Sequence, residues 1–154
     1  TTQTLHDRLA DLGGKLIVRA LKLIADTTNL ILHPQDPSKV TYAHKILKSE
    51  AKLDWTNAAE LIDRKVRALN PAPGASTELD GERVKVWLSR VPKVVGDACN
   101  SRPGTILGTS EEGVLVQCGD RAIELLELQN AGGKKITGRQ WFLGRANEKT
   151  QCFL

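Results

Sequence analysis

The sequence predicts a mixed α+β chain: a small antiparallel β-barrel preceded by an α-helix, with a further helix at the amino terminus left over from another domain. Three observations carry this expectation. Apolar residues recur at three- and four-residue steps near the amino terminus and again around residues 56–69. Paired prolines, Pro34 with Pro37 and Pro71 with Pro73, end each of those stretches. Beyond residue 74 the apolar period becomes two, in short runs divided by Asp-Gly, Glu-Gly and Gly-Asp turns.

In the first segment, LHDRLADLGGKLIVRALKLIAD, the residues Leu5, Leu9, Leu12, Leu16, Ala20 and Leu21 or Ile24 make one apolar stripe along a helix. Gly13 and Gly14 each weaken its middle by roughly 1 kcal/mol relative to alanine, so the helix requires tertiary support. Residues 30–45, LILHPQDPSKVTYAHK, read as an extended linker and offer the stripe no partner. The helix is therefore expected to belong to a preceding domain. The chain begins at Thr1 and contains no methionine, which predicts that residues precede it. The expected organisation is a domain fragment over 1–29, a linker over 30–47 and a complete domain over 48–154.

That domain opens with a helix at about residues 56–69. Asn57 and Glu60 fit a capping box, Thr56 is an equally good cap, and Ala58, Leu61, Ile62, Val66 and Leu69 form the stripe to be buried. Ala75–Leu79, Arg83–Val91, Thr105–Gly108, Val114–Cys118 and Ala122–Leu128 are the strand candidates, with turns at Asp80-Gly81, Glu112-Gly113 and Gly119-Asp120. Val84, Val86 and Leu88 alternate with Lys85, Trp87 and Ser89, a half-buried strand with one wetter face. Five short strands suit a closed barrel of the oligonucleotide/oligosaccharide-binding type. Thr137–Leu143 is expected to add a short flanking helix.

Composition excludes several classes. No run approaches the eighteen apolar residues of a membrane span, and no tripartite secretory signal is present. Cys99, Cys118 and Cys152 are odd in number and widely spaced, which encodes neither a disulfide framework nor a zinc site. His6, His33 and His44 lack the four-residue spacing of a metal pair and have no neighbouring nucleophile. Glu111, Glu112 and the other carboxylates read as turn and surface charges. Trp55 and Trp141 read as packing anchors, whereas strand parity leaves Trp87 open to solvent and to base stacking. Residues 81–154 hold 11 Lys+Arg against 8 Asp+Glu, so they carry three of the chain's four excess positive charges. Such a face attracts a polyanion.

Four motifs in fixed order extend the reading. Thr4-Leu5-His6-Asp7-Arg8-Leu9-Ala10-Asp11-Leu12-Gly13 comes first, then Pro34-Gln35-Asp36, then TYAHKILKSEAKLDW over 41–55, then Arg67 to Ala75, RALNPAPGA. Together they resemble the methionyl-tRNA formyltransferase family, from the last helix of its Rossmann-like catalytic domain through the linker and carboxy-terminal domain. The chain departs from that pattern at Ala72 and Ser76, where relatives carry aromatics. It departs again at Arg121, where many have a third hairpin glycine, and over its last residues, ANEKTQCFL.

The resemblance implies transfer of a formyl group from 10-formyltetrahydrofolate to methionyl-initiator tRNA, in the bacterial cytoplasm or in a mitochondrial or plastid matrix. It places the catalytic Asn, His and Asp and the folate site in an amino-terminal domain, so no catalytic residue, metal ligand or cofactor is assigned here. The part left to this chain is to orient the tRNA. The candidate tRNA contacts are Lys45, Lys48 and Lys52 on the linker, Arg64 and Arg67 on the helix, and Lys85, Lys134, Lys135 and Arg139 on or beside the barrel. Lys134-Lys135 is the foremost of these, because Gly132-Gly133 lets the backbone follow a partner closely. Two alternatives remain open: the equivalent domain of a nucleotide-amino-sugar formyltransferase, and a freestanding RNA-binding module.

Overall fold

The switch of period after residue 74 marks a change from helix to sheet, in a computed structural model that describes residues 1–27, 31–93, 101–145 and 152–154. The chain forms two compact units, Gln3–Ile46 and Leu47–Leu154 together with Thr1–Thr2. In the first, α1 runs unbroken from Thr2 to Asp26, through Gly13 and Gly14. None of its residues is buried, and Leu5, Leu9, Leu12, Leu16, Ile17 and Leu21 are 49–58% exposed. The residues after it are extended apart from a 3-10 turn at Pro37–Lys39, where Asp36 Oδ1 accepts from the Ser38 N–H at 2.9 Å. No helix among the described residues is long and apolar enough to cross a membrane.

The second unit begins with a 3-10 turn at Lys48–Ala51 and continues into α2, Ala59–Ala68. Its strands are β1 (Ala75–Leu79), β2 (Glu82–Arg90), β3 (Ile106–Thr109), β4 (Val114–Gln117), β5 (Ala122–Asn130) and β6 (Ile136–Thr137), followed by α3, Gly138–Leu143. All ladders are antiparallel, in the order β1-β2-β5-β4-β3, with β6 also on β5. The β1–β2 hairpin turns at Asp80 and Gly81, both in the left-handed region (φ 52° and 81°), as its Asp-Gly sequence requires.

Three expectations are corrected. The described strands number six, not five, and the path runs open from β1 to β3, with no ladder joining those edges. The carboxy-terminal tripeptide lies between them instead. Leu154 and Glu78 exchange backbone hydrogen bonds of 2.9 and 3.4 Å, Phe153 N–H donates to the Gly104 carbonyl at 2.9 Å, and Cys152 bridges Thr105. Second, α2 starts later than expected, and neither Asn57 nor Thr56 caps it. Both hydrogen-bond to Asp54, and the Ala59 N–H is capped by Asp120 Oδ1 at 2.8 Å, from the β4–β5 turn. Its buried stripe is Ala59, Ile62, Val66 and Leu69, while Ala58 and Leu61 face solvent. Third, the alternation of β2 breaks at bulges on either side of Leu88. A bulge inserts an unpaired residue and reverses the faces beyond it, so Leu88 is 41% exposed and Ser89 turns inward, whereas Trp87 keeps the face of Lys85 and is nonetheless only 7% exposed.

One core unites these elements, drawing Leu53 and Trp55, the α2 stripe, Leu79, Val84 and Val86, Val114 and Val116, Ile123, Leu125 and Leu128, Trp141 and Phe153. Phe153 is 2% exposed and stacks between Trp55 and Trp141, at centroid distances of 5.5 and 5.6 Å. Trp55 and Trp141 are the packing anchors their positions predict. Their indole N–H groups donate to Thr77 Oγ1 at 2.9 Å and Asn130 Oδ1 at 2.7 Å. Thr77 in turn donates to the Leu154 carbonyl at 3.0 Å, tying core, edge strand and tail together. Cys118 lies in the same core, and burial pushes its thiol up to about 12. Cys152 is half-buried, and Cys99 lies outside the described residues.

Candidate nucleic-acid interface

Register on the β1–β2 hairpin decides which cations meet. Ser76 stands opposite Lys85 and Glu78 opposite Arg83, and directly opposed residues share a face. Lys85 is in turn opposite Gln129 of β5. The 3-10 turn is held along the same edge by Leu53 N–H, which donates to the Ser76 carbonyl at 2.7 Å, and by a bridge from Lys52 to Ser76. Lys48, Lys52 and Arg83 thereby line one cleft with Ser49, Ser76, Thr77 and Glu78.

Farther along this face, Trp87 is flanked by two lysines. Lys135 Nζ lies 3.9 Å from the ring centroid and Lys85 Nζ 5.0 Å from it. The indole N–H donates to Gln129 Oε1 at 2.9 Å, and Gln129 Nε2 donates to the Gly133 carbonyl at 2.8 Å. That second bond fixes the β5–β6 turn, which carries exposed Lys134 beside Lys135. Lys135 also pairs with Glu127 at 3.7 Å. A continuous band results, from Lys48 and Lys52 through Arg83 and Lys85 to Lys134 and Lys135, with Glu78 and Glu127 among the cations. Trp87 lies under the lysines instead of standing free, which corrects its expected exposure.

The remaining sequence candidates sit elsewhere. Arg64 lines a shallow cleft with Asp54, Asn57 and Lys65, and Lys65 Nζ donates to the Lys52 carbonyl at 2.7 Å, at the margin of the band. Arg67 is occupied by Asp63 at 2.8 Å. Arg139 lies at the β3–β4 turn, its N–H donating to the Glu112 carbonyl at 3.3 Å. Lys45 is exposed in the other unit.

Sequence reasoning missed Arg83 and Gln129 at the band, and a buried carboxylate outside it. The Asp-Gly turn fixes the hairpin register and so could have placed Arg83 beside Ser76. Glu124, only 3% exposed, corrects the reading of all carboxylates as surface charges. It accepts from Arg90 Nε at 2.9 Å and Nη2 at 2.7 Å, and from the Ser110 hydroxyl. The Glu124 contact holds the Arg90 guanidinium above its ordinary range, with Glu112 adding to it. This cluster pins the β3–β4 turn to β5. Both of its carboxylates, Glu112 and Glu124, are engaged by Arg90. Among the described residues no group of His, Cys, Asp and Glu could hold a metal ion.

Residues 45–146 match the family described as formyl transferase, C-terminal domain. The chain is 47% identical over 154 residues to a methionyl-tRNA formyltransferase of Polynucleobacter asymbioticus, covering 99% of the chain and 46% of that protein. It is 46% identical over 153 residues to one of Nitrosomonas europaea, covering 99% of the chain and 47% of the relative. The chain thus spans about half the length of the curated relatives it matches. Among solved structures, HypX from Aquifex aeolicus superposes with a TM-score of 0.64 at 21% identity, over 88% of this chain and 23% of that one. A second HypX structure, in complex with tetrahydrofolic acid, gives 0.61 at 20% identity, over 83% and 22%. At that identity the likeness is one of fold.

Proposed function

The chain belongs to the formyl transferase C-terminal domain family, and from that premise we propose that it is the tRNA-holding part of a methionyl-tRNA formyltransferase. The full-length enzyme would move a formyl group from 10-formyltetrahydrofolate to methionyl-initiator tRNA in the cytoplasm. Residues 1–29 are read as the end of its catalytic domain, 30–47 as linker and 48–154 as an OB-like domain. The tail's hydrogen bonds to both open edges of the sheet support that last reading.

The observation that carries the proposal is the cationic band. Six lysines and arginines drawn from a 3-10 turn, a hairpin and a β5–β6 turn converge along one face, and relatives at 46–47% identity are named for a tRNA substrate. Contacts from such side chains to phosphate hold the RNA backbone without reading bases. Holding the aminoacyl end in place makes formyl transfer effectively intramolecular. The described residues do not fit the formyl donor itself. Reading a pterin needs buried polar groups left for the ligand, and among the described residues the one buried side-chain nitrogen or oxygen with no hydrogen bond at all is Arg121 Nε, which lies in ion-pair reach of Asp120. The donor is assigned to the catalytic domain.

The test is binding of initiator tRNA to the 154-residue chain across a salt series. Lys134→Glu with Lys135→Glu should weaken binding at least ten-fold and flatten the slope of log K against log salt by roughly 1.5, at about 0.7–0.9 per phosphate contact. An unchanged affinity and slope would remove this band as the tRNA surface.

A further inference from the structure

The cleft at the head of the band differs from the rest of it. Lys48, Lys52, Arg83 and the hydroxyl residues Ser49, Ser76 and Thr77 enclose about 260 Å³, with Glu78 as its carboxylate. Glu78 reaches Lys52 at 3.7 Å. Among the described residues neither Lys48 nor Arg83 has a carboxylate within ion-pair distance, so two positive charges stand uncompensated. Arg83 Nη2 donates to Ser76 Oγ at 3.0 Å. Ser76 is almost fully buried, and its Oγ accepts that bond, which leaves the hydroxyl proton to donate to a ligand. A guanidinium has five donors in a fixed fork, and one is accounted for here. Two unspent cations, a forked donor and a fixed hydroxyl donor are the recognition chemistry of a tetrahedral oxyanion.

We propose that this cleft seats one backbone phosphate of the bound RNA, with Arg83 and Lys48 as its charge partners and Ser76 as the hydroxyl donor. The proposal rests on the tRNA-holding reading and adds a discrete anchor to it. The band beyond Lys85 supplies diffuse attraction, whereas the cleft fixes the register of the RNA along the hairpin. The edge bridge from Lys52 to Ser76 holds the turn and strand that form it.

The test compares wild type with Arg83→Gln and Lys48→Gln in the 154-residue chain. Thermal melts are run in inorganic phosphate and in chloride at matched ionic strength, and initiator tRNA binding is measured across salt. The expected result is a phosphate-specific rise in wild-type Tm that both variants lose. Each variant should also bind tRNA about ten-fold more weakly, as expected for one lost charge-assisted hydrogen bond, with a salt slope flatter by about 0.7–0.9. Arg83→Lys should recover part of the affinity, because it restores charge without the fork. If both variants bind tRNA as wild type does while Lys134→Glu with Lys135→Glu does not, the anchor is refuted and the tRNA surface stands. A phosphate-dependent Tm shift with no effect of Arg83→Gln on tRNA binding assigns the cleft to free phosphate and overturns the RNA seat. Wild type failing to bind tRNA overturns both readings.

Discussion

Phe153→Ala removes the ring that joins the tail to the core, and its effect can be worked out from the packing. The side chain is 2% exposed and lies between two tryptophans at 5.5 and 5.6 Å, so little can collapse into the space it leaves. Phe→Ala at a buried site costs about 3–5 kcal/mol. Two aromatic pairs, worth roughly 0.5–1.5 kcal/mol each beyond buried area, place this site toward the upper end of that range. Small domains have about 5–15 kcal/mol in total, so the variant should lose a third or more of its stability. At roughly 4–8 °C per kcal/mol for a domain near this size, Tm should fall by at least about 15 °C. Urea and thermal unfolding followed by tryptophan fluorescence read the change directly, because both partners of the ring are indoles. Leu154→Ala is the control: that side chain is exposed and the residue engages Glu78 and Thr77 through its backbone. It should move stability by no more than about 0.5 kcal/mol. A loss below about 1 kcal/mol for Phe153→Ala, or an equal loss for Leu154→Ala, would show that the tail is not part of the core.

Asp120→Ala should cost about 1 kcal/mol, the worth of a helix cap, and show as a modest loss of Tm with frayed α2. Asn57→Ala should leave the helix signal at 222 nm unchanged, and the reverse order of effects would restore the local capping box. Cys118 should resist iodoacetamide in the folded chain at pH 8, because its thiol, raised to about 12, stays protonated there and is buried. Peptide mass mapping that finds Cys118 alkylated without denaturant would contradict its place in the core.

Much of the fold was legible because its signals are local. The Asp80-Gly81 turn, the alternation at Val84 and Val86 and the stripe of Ile62, Val66 and Leu69 each state a backbone preference within a few residues. Residues that departed from the family pattern were harder to place. Ser76 turned out to be the hydroxyl beneath Arg83, and the poorly matched tail supplies Phe153 to the core. The first follows from the hairpin register that the Asp80-Gly81 turn sets, whereas the second could not be seen in the sequence, because it depends on which distant strand edge the tail meets.

The sequence by itself determined the element types, the apolar residues available for a core, the cationic surplus of the second half and the family. Tertiary structure alone decided which charges were spent and which were left. Lys48, Lys52, Arg83, Lys85, Lys134 and Lys135 converge because strand register brings a turn, a hairpin and a second turn to one face, while Arg67 is consumed by Asp63 on its own helix. The α2 cap comes from sixty-one residues away, and Lys85 and Lys135 close over Trp87 from its own strand and from the β5–β6 turn. The physical reason is common to all three: hydrogen bonds and ion pairs act over a few ångströms of space, and a linear sequence specifies distance only along the chain.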